Sequence, residues 1–456
     1  MLENILVSAL NFAPNCAYMD IRIIRWKETK IIWHNGQFLT IQGGNGQGGM
    51  IRILRKGHWG IGSFNNQKDI PKCISLCIQQ TNHSQEYTPS GLAPAPIVKA
   101  SFHTPESYHL DNININEKVD LCNHYGQYAS RYATNCQVTY FDCTQEIGFA
   151  NNEGTVLIQE KPLAQCAIRL ETVNNIGPQV IPCALSSTCG WQPLTKMDSL
   201  LEQTINERQK LLSAHSPNPG IYDLILAPRV ASGIIHETVG HLCEADIVLK
   251  NPDLRKKLQF GTQICNIPIN IIDDGQLING EGSSNFDDEG VLTSHTYLVK
   301  EGNLQGLLHS RSTANKMNQP VTGNARSVGY DKPPLVRQTN LIIESGSNSV
   351  DELINSIKLG IFCIASHPYG AKSSGSHFDY HVAGGWLIKN GRLDSIISKF
   401  SFSENIFEFL QKIDGIGSQV EFFSHGIGGC SKWGHYPLPV GIGGPALRVQ
   451  KVEISV

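Results

Sequence analysis

The chain has 456 residues, with 37 Lys and Arg against 40 Asp and Glu, for a formal net charge of −3. That balance argues against a protein that coats nucleic acid or lies on an anionic membrane, because both surfaces demand a basic excess. With 40% hydrophobic and 17% charged residues the chain is too apolar for disorder, and 43 Gly and 22 Pro favour a β-rich fold over a helical bundle.

At the amino end, Leu2, Ile5, Leu6, Ala9 and Leu10 mark one face of a short helix. Glu3 lies in it and no basic run precedes the apolar residues, so it does not read as a secretory leader. Strands are expected at 19–26 and 30–33, then a tight turn at His34-Asn35-Gly36 and a strand from Gln37 to Gln42. The cluster from Gly43 to Gly49 has no lysine–hydroxyl pair after it and leads into a strand, so it reads as a hairpin or loop rather than a phosphate cradle. A helix is expected over 69–80.

Residues 83–104, rich in Ser, Pro, Thr and Ala, read as a linker between a unit at 1–82 and a second at 105–220. In the second unit, a helix at 117–132 precedes strands at 136–143, 147–151, 155–160 and 165–173, and a helix covers 197–214. From 221 onward the chain is rich in strands and glycine turns. The expected fold is α+β, with an N-terminal sheet-and-helix region followed by a larger β-rich domain at 221–456. No apolar run approaches the ~18 residues that span a bilayer. Thirteen cysteines without recurring spacing fit buried thiols in a reducing, cytoplasmic setting rather than a disulfide framework, and the odd count leaves at least one unpaired within the chain.

The strongest constellation is His236-Glu237-Thr238-Val239-Gly240-His241. The familiar zinc helix spaces its histidines four apart, on one face. A spacing of five separates them by about 140° on a regular α-helix, too far to share one ion. A local π turn would restore the geometry, and Gly240 makes that distortion accessible. The alternative is a histidine pair with no metal. Cys430, in a glycine-rich stretch, is the most distinctive third donor. Two His, one Cys and a water would make an open catalytic zinc site.

These residues resemble the signature of the TldD/PmbA family of metallopeptidases, on its metal-binding TldD side. Asp273-Asp274-Gly275, Phe286-Asp287-Asp288-Glu289-Gly290, Thr322-Gly323-Asn324-Ala325-Arg326, Asp351-Glu352-Leu353-Ile354 and the Gly428-Gly429-Cys430 segment follow in the family's order. The resemblance covers nearly the whole chain. It implies His236, His241 and Cys430 as ligands of one zinc ion per catalytic chain, and Glu237 as the residue that activates water. It also implies unstructured or extended peptides as substrates and a two-chain assembly, either a homodimer or a heterodimer with a metal-free family member. No nucleic acid or membrane partner is expected. The family pattern after the cysteine ligand, C-G-K-x-G-Q, is replaced here by Cys430-Ser431-Lys432-Trp433-Gly434-His435, and its arginines near Asn324 are reduced to Arg326.

Other polar groups carry two readings each. His425 and His435 flank Cys430 and could orient it or contact substrate; both could equally be ordinary loop histidines. His377, Asp379 and His381 share one face of a strand, as a second metal site, a substrate-groove face or a solvated one. Asp287-Asp288-Glu289 lacks the alternating ligand spacing of a calcium loop and reads as an acidic turn. Two rival functions stand beside peptide hydrolysis: a non-catalytic scaffold or regulatory subunit, and hydrolysis of a modified peptide or small amide.

Overall fold

The computed structural model describes residues 2–12, 16–82, 91–174, 177–424 and 426–456; residues 83–90 of the expected linker lie outside this set, as does His425. Helix Leu2–Leu10 buries Leu2, Leu6 and Ala9, the face its periodicity marks. The two short strands expected at 19–26 and 30–33 run together as Tyr18–His34, which turns through Asn35 and Gly36, both at positive φ, into Gln37–Arg55. Two such residues give a hairpin turn whose twist matches that of its strands.

The glycine cluster departs from expectation. It is neither a loop nor a turn but the middle of the strand Gln37–Arg55, paired from Gly43↔Thr29 to Gly49↔Ile23. Space is the reason. A Cβ on Gly46 would lie 2.3 Å from the Trp26 ring, and one on Gly48 would lie 2.4 Å from the Tyr330 ring. Those rings stack on each other with centroids 5.8 Å apart. Bare backbone thus gives two aromatics a flat floor.

The two expected N-terminal units share one sheet. Strand Tyr18–His34 pairs with Asn135–Asn151 from Asp20↔Asn151 to His34↔Gln137. In sheet order the strands are His58–Phe64, Gln37–Arg55, Tyr18–His34, Asn135–Asn151 and Val156–Asn174; Lys99–Phe102 and Gly177–Ser187 both pair with the last. Helices Leu2–Leu10 and Ile70–Asn82 cover one stretch of the sheet through Leu6, Ile23, Ile53 and Ile74. Helices Ile115–Ala129 and Asp198–Leu212 cover another around Trp33, Tyr125, Val138 and Leu201.

Beyond Gly220 the described residues build two small two-stranded sheets and two further large ones. One has the order Arg392–Ile397, His377–Lys389, Leu359–Ser374, Gly220–Leu226, Leu447–Ile454 and Ile413–Ile416, with Phe400–Asn405 also on His377–Lys389. The other runs Asn303–Leu304, His295–Lys300, Ile271–Asp274, Asn340–Ile343, Gly441–Gly444 and Glu421–Ser424. Helix Pro228–Ile235 packs against Leu359–Ser374 of the first sheet and Gly441–Gly444 of the second. Its Val230, Ala231, Ile234 and Ile235 are fully buried in the core they share. The α+β expectation is borne out.

The acidic turn holds the N-terminal sheet to this part of the molecule. Asp288 Oδ1 meets Arg22 at 2.5 Å and Glu289 Oε1 meets Arg52 at 3.0 Å. Asp287 accepts three backbone N–H groups, from Glu289, Val291 and Ala325. Its oxygens are consumed in shaping the loop.

Candidate metal centre

Strand Gly220–Leu226 ends at Ala227, and Pro228 opens the helix that follows, where its missing N–H costs nothing. After Ile235 the helix loosens. Residues His236–Gly240 form a π turn, closed by the His241 N–H donating to the His236 carbonyl five residues back. The extra residue in the turn brings the imidazoles onto one side, with ring centroids 5.1 Å apart. Gly240 serves this turn through space rather than φ: a Cβ there would lie 2.1 Å from the buried Gln338 Oε1. Gln338 Nε2 in turn donates to the His236 carbonyl.

Cys430 arrives from the opposite direction, on a short hairpin of Cys430–Lys432 with His435–Leu438. Gly429 before it has φ of +153°, and a Cβ there would lie 2.4 Å from the Leu438 carbonyl oxygen. That position admits only glycine. One nitrogen of each imidazole and the Cys430 sulfur all lie within 4.8 Å of one another, and Cys430 Sγ is 3.2 Å from His241 Nε2. Two imidazoles and a thiolate converging on one point suit a borderline-soft transition-metal ion, with a fourth position left for water or substrate.

Burial and neighbouring charge shift each of the three donors. Burial pushes His236 down to about 4, so its ring is neutral and its nitrogen is available as a donor. Burial also pushes the Cys430 thiol up, but the adjoining His241 outweighs it and the thiol ends below its ordinary value. His241 is raised despite its burial, because Glu244 and Cys430 face its two nitrogens. Glu237 points its carboxylate at both rings, 4.0 Å from His236 Nε2 and 3.8 Å from His241 Nε2, while remaining one-third exposed.

Beneath the donors lies a layer that the sequence reading did not find. Glu244, fully buried, faces His241 Nδ1 at 3.0 Å and Lys432 Nζ at 2.9 Å. Burial raises its carboxyl, but His241, Lys432 and Arg337 more than reverse this and bring it down to about 2. Lys432 also meets Asp246 at 2.5 Å and donates to the Val336 carbonyl. The available signal was spacing: Glu244 stands three residues after His241, within reach of its outer nitrogen.

The remaining sequence candidates fall differently. Arg326 is buried, donating to the carbonyls of Gln338 and Pro439, and so reaches the metal turn through Gln338. His435 is buried on the strand opposite Cys430, its ring outside the cluster of donors; His425 lies outside the described residues. His377 and His381 are exposed and are not part of that cluster. Alternation along their strand turns Phe378, Tyr380 and Val382 inward instead. Tyr380 is the inward residue near the centre: its hydroxyl meets Ser366 Oγ at 2.6 Å and feels the Glu237 charge.

Known proteins resemble this chain in sequence and in fold. A family model for the PmbA/TldA metallopeptidase C-terminal domain matches residues 219–456, and one for PmbA/TldA metallopeptidase domain 1 matches residues 19–80. A metalloprotease of Synechocystis is 31% identical over 442 residues, covering 96% of this chain and 94% of that one. A metalloprotease TldD homologue of Haemophilus influenzae is 32% identical over 247 residues, covering 54% of this chain and 50% of that one. Among solved structures, TldE from Thermococcus kodakarensis superposes with a TM-score of 0.81 at 16% identity, covering all of both chains.

Proposed function

The chain belongs to the PmbA/TldD metallopeptidase family, and we propose that it is a zinc peptidase that hydrolyses amide bonds in extended peptides, with His236, His241 and Cys430 as the ligands and Glu237 as the general base. The carrying observation is the convergence of those three donors within 4.8 Å beside the Glu237 carboxylate. A thiolate in the donor set favours zinc over harder ions. Zinc held there would supply Lewis acidity, polarising the scissile carbonyl and lowering the pKa of a water towards ~7.

The chain's own residues divide the remaining work. Glu237, partly exposed beside both rings, takes the proton of the attacking water on a carboxylate oxygen and delivers it to the leaving amine nitrogen. Glu244 fixes the His241 ring through Nδ1, so that Nε2 faces Cys430. Val239 in the turn and Cys243 just after it are buried in the core.

The working assembly is proposed to be two chains, either two copies or one copy with a metal-free family member. The free state of the cysteines fits a cytoplasmic protein, and among the described residues no helix is long and apolar enough to cross a membrane.

The test pairs metal analysis with cleavage of unstructured peptides. Purified protein should carry about one zinc per chain, and Glu237→Gln should keep it while losing cleavage by roughly 10²–10⁴-fold. Zinc at trace level would favour the scaffold reading, and full activity in Glu237→Gln would remove Glu237 from the chemistry. Cleavage confined to a modified peptide or small amide would redirect the substrate assignment.

A further inference from the structure

Between the N-terminal sheet and the C-terminal domain lies a cleft of about 620 Å³ that none of the metal donors lines. It begins beside them: Gly428, two residues before Cys430, and Leu438, the cross-strand partner of Cys430, form part of its wall. The stacked Trp26–Tyr330 pair forms another part, with Phe286 and Leu163. Such walls suit apolar side chains of an extended chain. Three cations interrupt them: Lys30, which is exposed, and two more withdrawn from water, Lys161 and Arg326.

Neither Lys161 nor Arg326 belongs to any ion pair among the described residues. Arg326, nine-tenths buried, donates only to neutral carbonyls, those of Gln338 and Pro439. Lys161, half-buried on strand Val156–Asn174, has no ion pair and makes no side-chain hydrogen bond in that set. The two carboxylates that act on Lys161 are engaged elsewhere, whereas Glu28, which also lines the cleft, has no ion pair among the described residues. Asp288 is held by Arg22 and the Ser327 N–H, and Glu281 accepts from Gln165. Burial, reinforced by the Arg326 charge, pushes the Lys161 ammonium down to about 8. Arg326 reaches the metal turn through Gln338, whose carbonyl it donates to and whose Nε2 donates to the His236 carbonyl. Half-buried and buried positive charge without a direct ion pair is costly, and a ligand carboxylate would lower that cost.

We propose that Lys161, backed by Arg326, anchors a carboxylate of the peptide substrate in this cleft, so that the protein selects peptides bearing an acidic side chain or a free C-terminus near the scissile bond. The assignment rests on the peptidase reading above and names its substrate class. A charge-assisted contact in a partly dry cleft is worth roughly tenfold or more in binding.

The experiment uses the zinc-loaded protein and one extended peptide in four forms: Glu or Gln at one internal position, each with a free or an amidated C-terminus. Wild type should prefer a carboxylate-bearing form at least tenfold in kcat/KM, carried mainly by KM, and the four forms separate the side-chain source from the terminal one. Lys161→Met should bring that ratio close to one, and Lys161→Arg should restore most of it. Equal treatment of all four forms by wild type, or an undiminished preference in Lys161→Met, overturns the anchor. If no form is cleaved, binding of fluorescently labelled copies is measured by anisotropy. Binding that depends on the carboxylate and on Lys161 keeps the anchor while the peptidase reading falls. Binding without that dependence, or no binding, overturns the anchor.

Discussion

Lys432 Nζ lies 2.9 Å from Oε2 of Glu244, the same oxygen that faces His241 Nδ1 at 3.0 Å. One buried carboxylate oxygen therefore joins the hairpin that carries Cys430 to the helix that carries the histidines. The two halves of the donor set lie 189 positions apart in the chain. This contact ties them together, alongside the Lys432 contacts with Asp246 and the Val336 carbonyl.

Removing the ammonium should loosen the donor set. In Lys432→Met, Glu244 loses its nearest cation and the Cys430 strand loses its tether. Zinc affinity should fall roughly 10–100-fold, read by competition with a chromophoric chelator. Wild-type affinity in the variant would limit Lys432 to a folding role.

Gly429→Ala should act on the same strand through the backbone. The positive φ and the Leu438 carbonyl oxygen 2.4 Å from the new Cβ force the hairpin to shift. The expected outcome is loss of zinc with little change in far-ultraviolet circular dichroism, because the large sheets do not depend on this loop. Normal zinc content would show that the hairpin tolerates a different path.

Arg52 lies between Asp20 and Glu289, at 2.5 and 3.0 Å, with all three side chains buried. Arg52→Met leaves two buried carboxylates without their cation. Stability should drop by about 3–5 kcal/mol, measured by urea unfolding at neutral pH. A loss below about 1 kcal/mol would mean that the clamp between sheet and acidic turn is dispensable.

His309 offers a pH test away from the metal donors. It is 2% exposed, and burial pushes it down to about 4. Between about 4 and the unfolded value near 6.5, the unfolded chain binds the extra proton, so stability rises with pH through that window. The contribution is complete above about 6.5 and lost as pH falls. Relative to His309→Gln, wild type should lose about 2 kcal/mol more on going from pH 7.5 to pH 5. Parallel pH dependences in the two proteins would show that His309 is protonated without cost.

Much of this architecture is legible in the sequence. The apolar face of residues 2–10, the turn at Asn35-Gly36, and the helices at 70–82 and 198–212 all follow from periodicity and turn chemistry acting over a few residues. The histidine spacing demands a π turn if one ion is to be shared, and the turn is there. Those are local constraints, and local sequence carries them.

Where the sequence reading failed, the deciding neighbour was distant in the chain. The run from Gly43 to Gly49 reads as a loop because glycine usually marks one. It is a strand because Trp26 and, from the far side of the molecule, Tyr330 occupy the space its side chains would fill. His377 and His381 carry chemistry-bearing side chains, but the inward face of their strand is set by packing of Tyr380 against Phe402 and of Phe378 against Phe409. Lys161 gave no signal at all, since an unpaired ammonium is ordinary until a fold withholds both water and partners from it. The sequence by itself determined the family, the local elements and the four residues expected to carry the chemistry. Only the tertiary structure decided that Glu244 and Lys432 join the donors and that a cleft holding Lys161 and Arg326 opens beside Cys430, because those relations depend on which distant segments pack together.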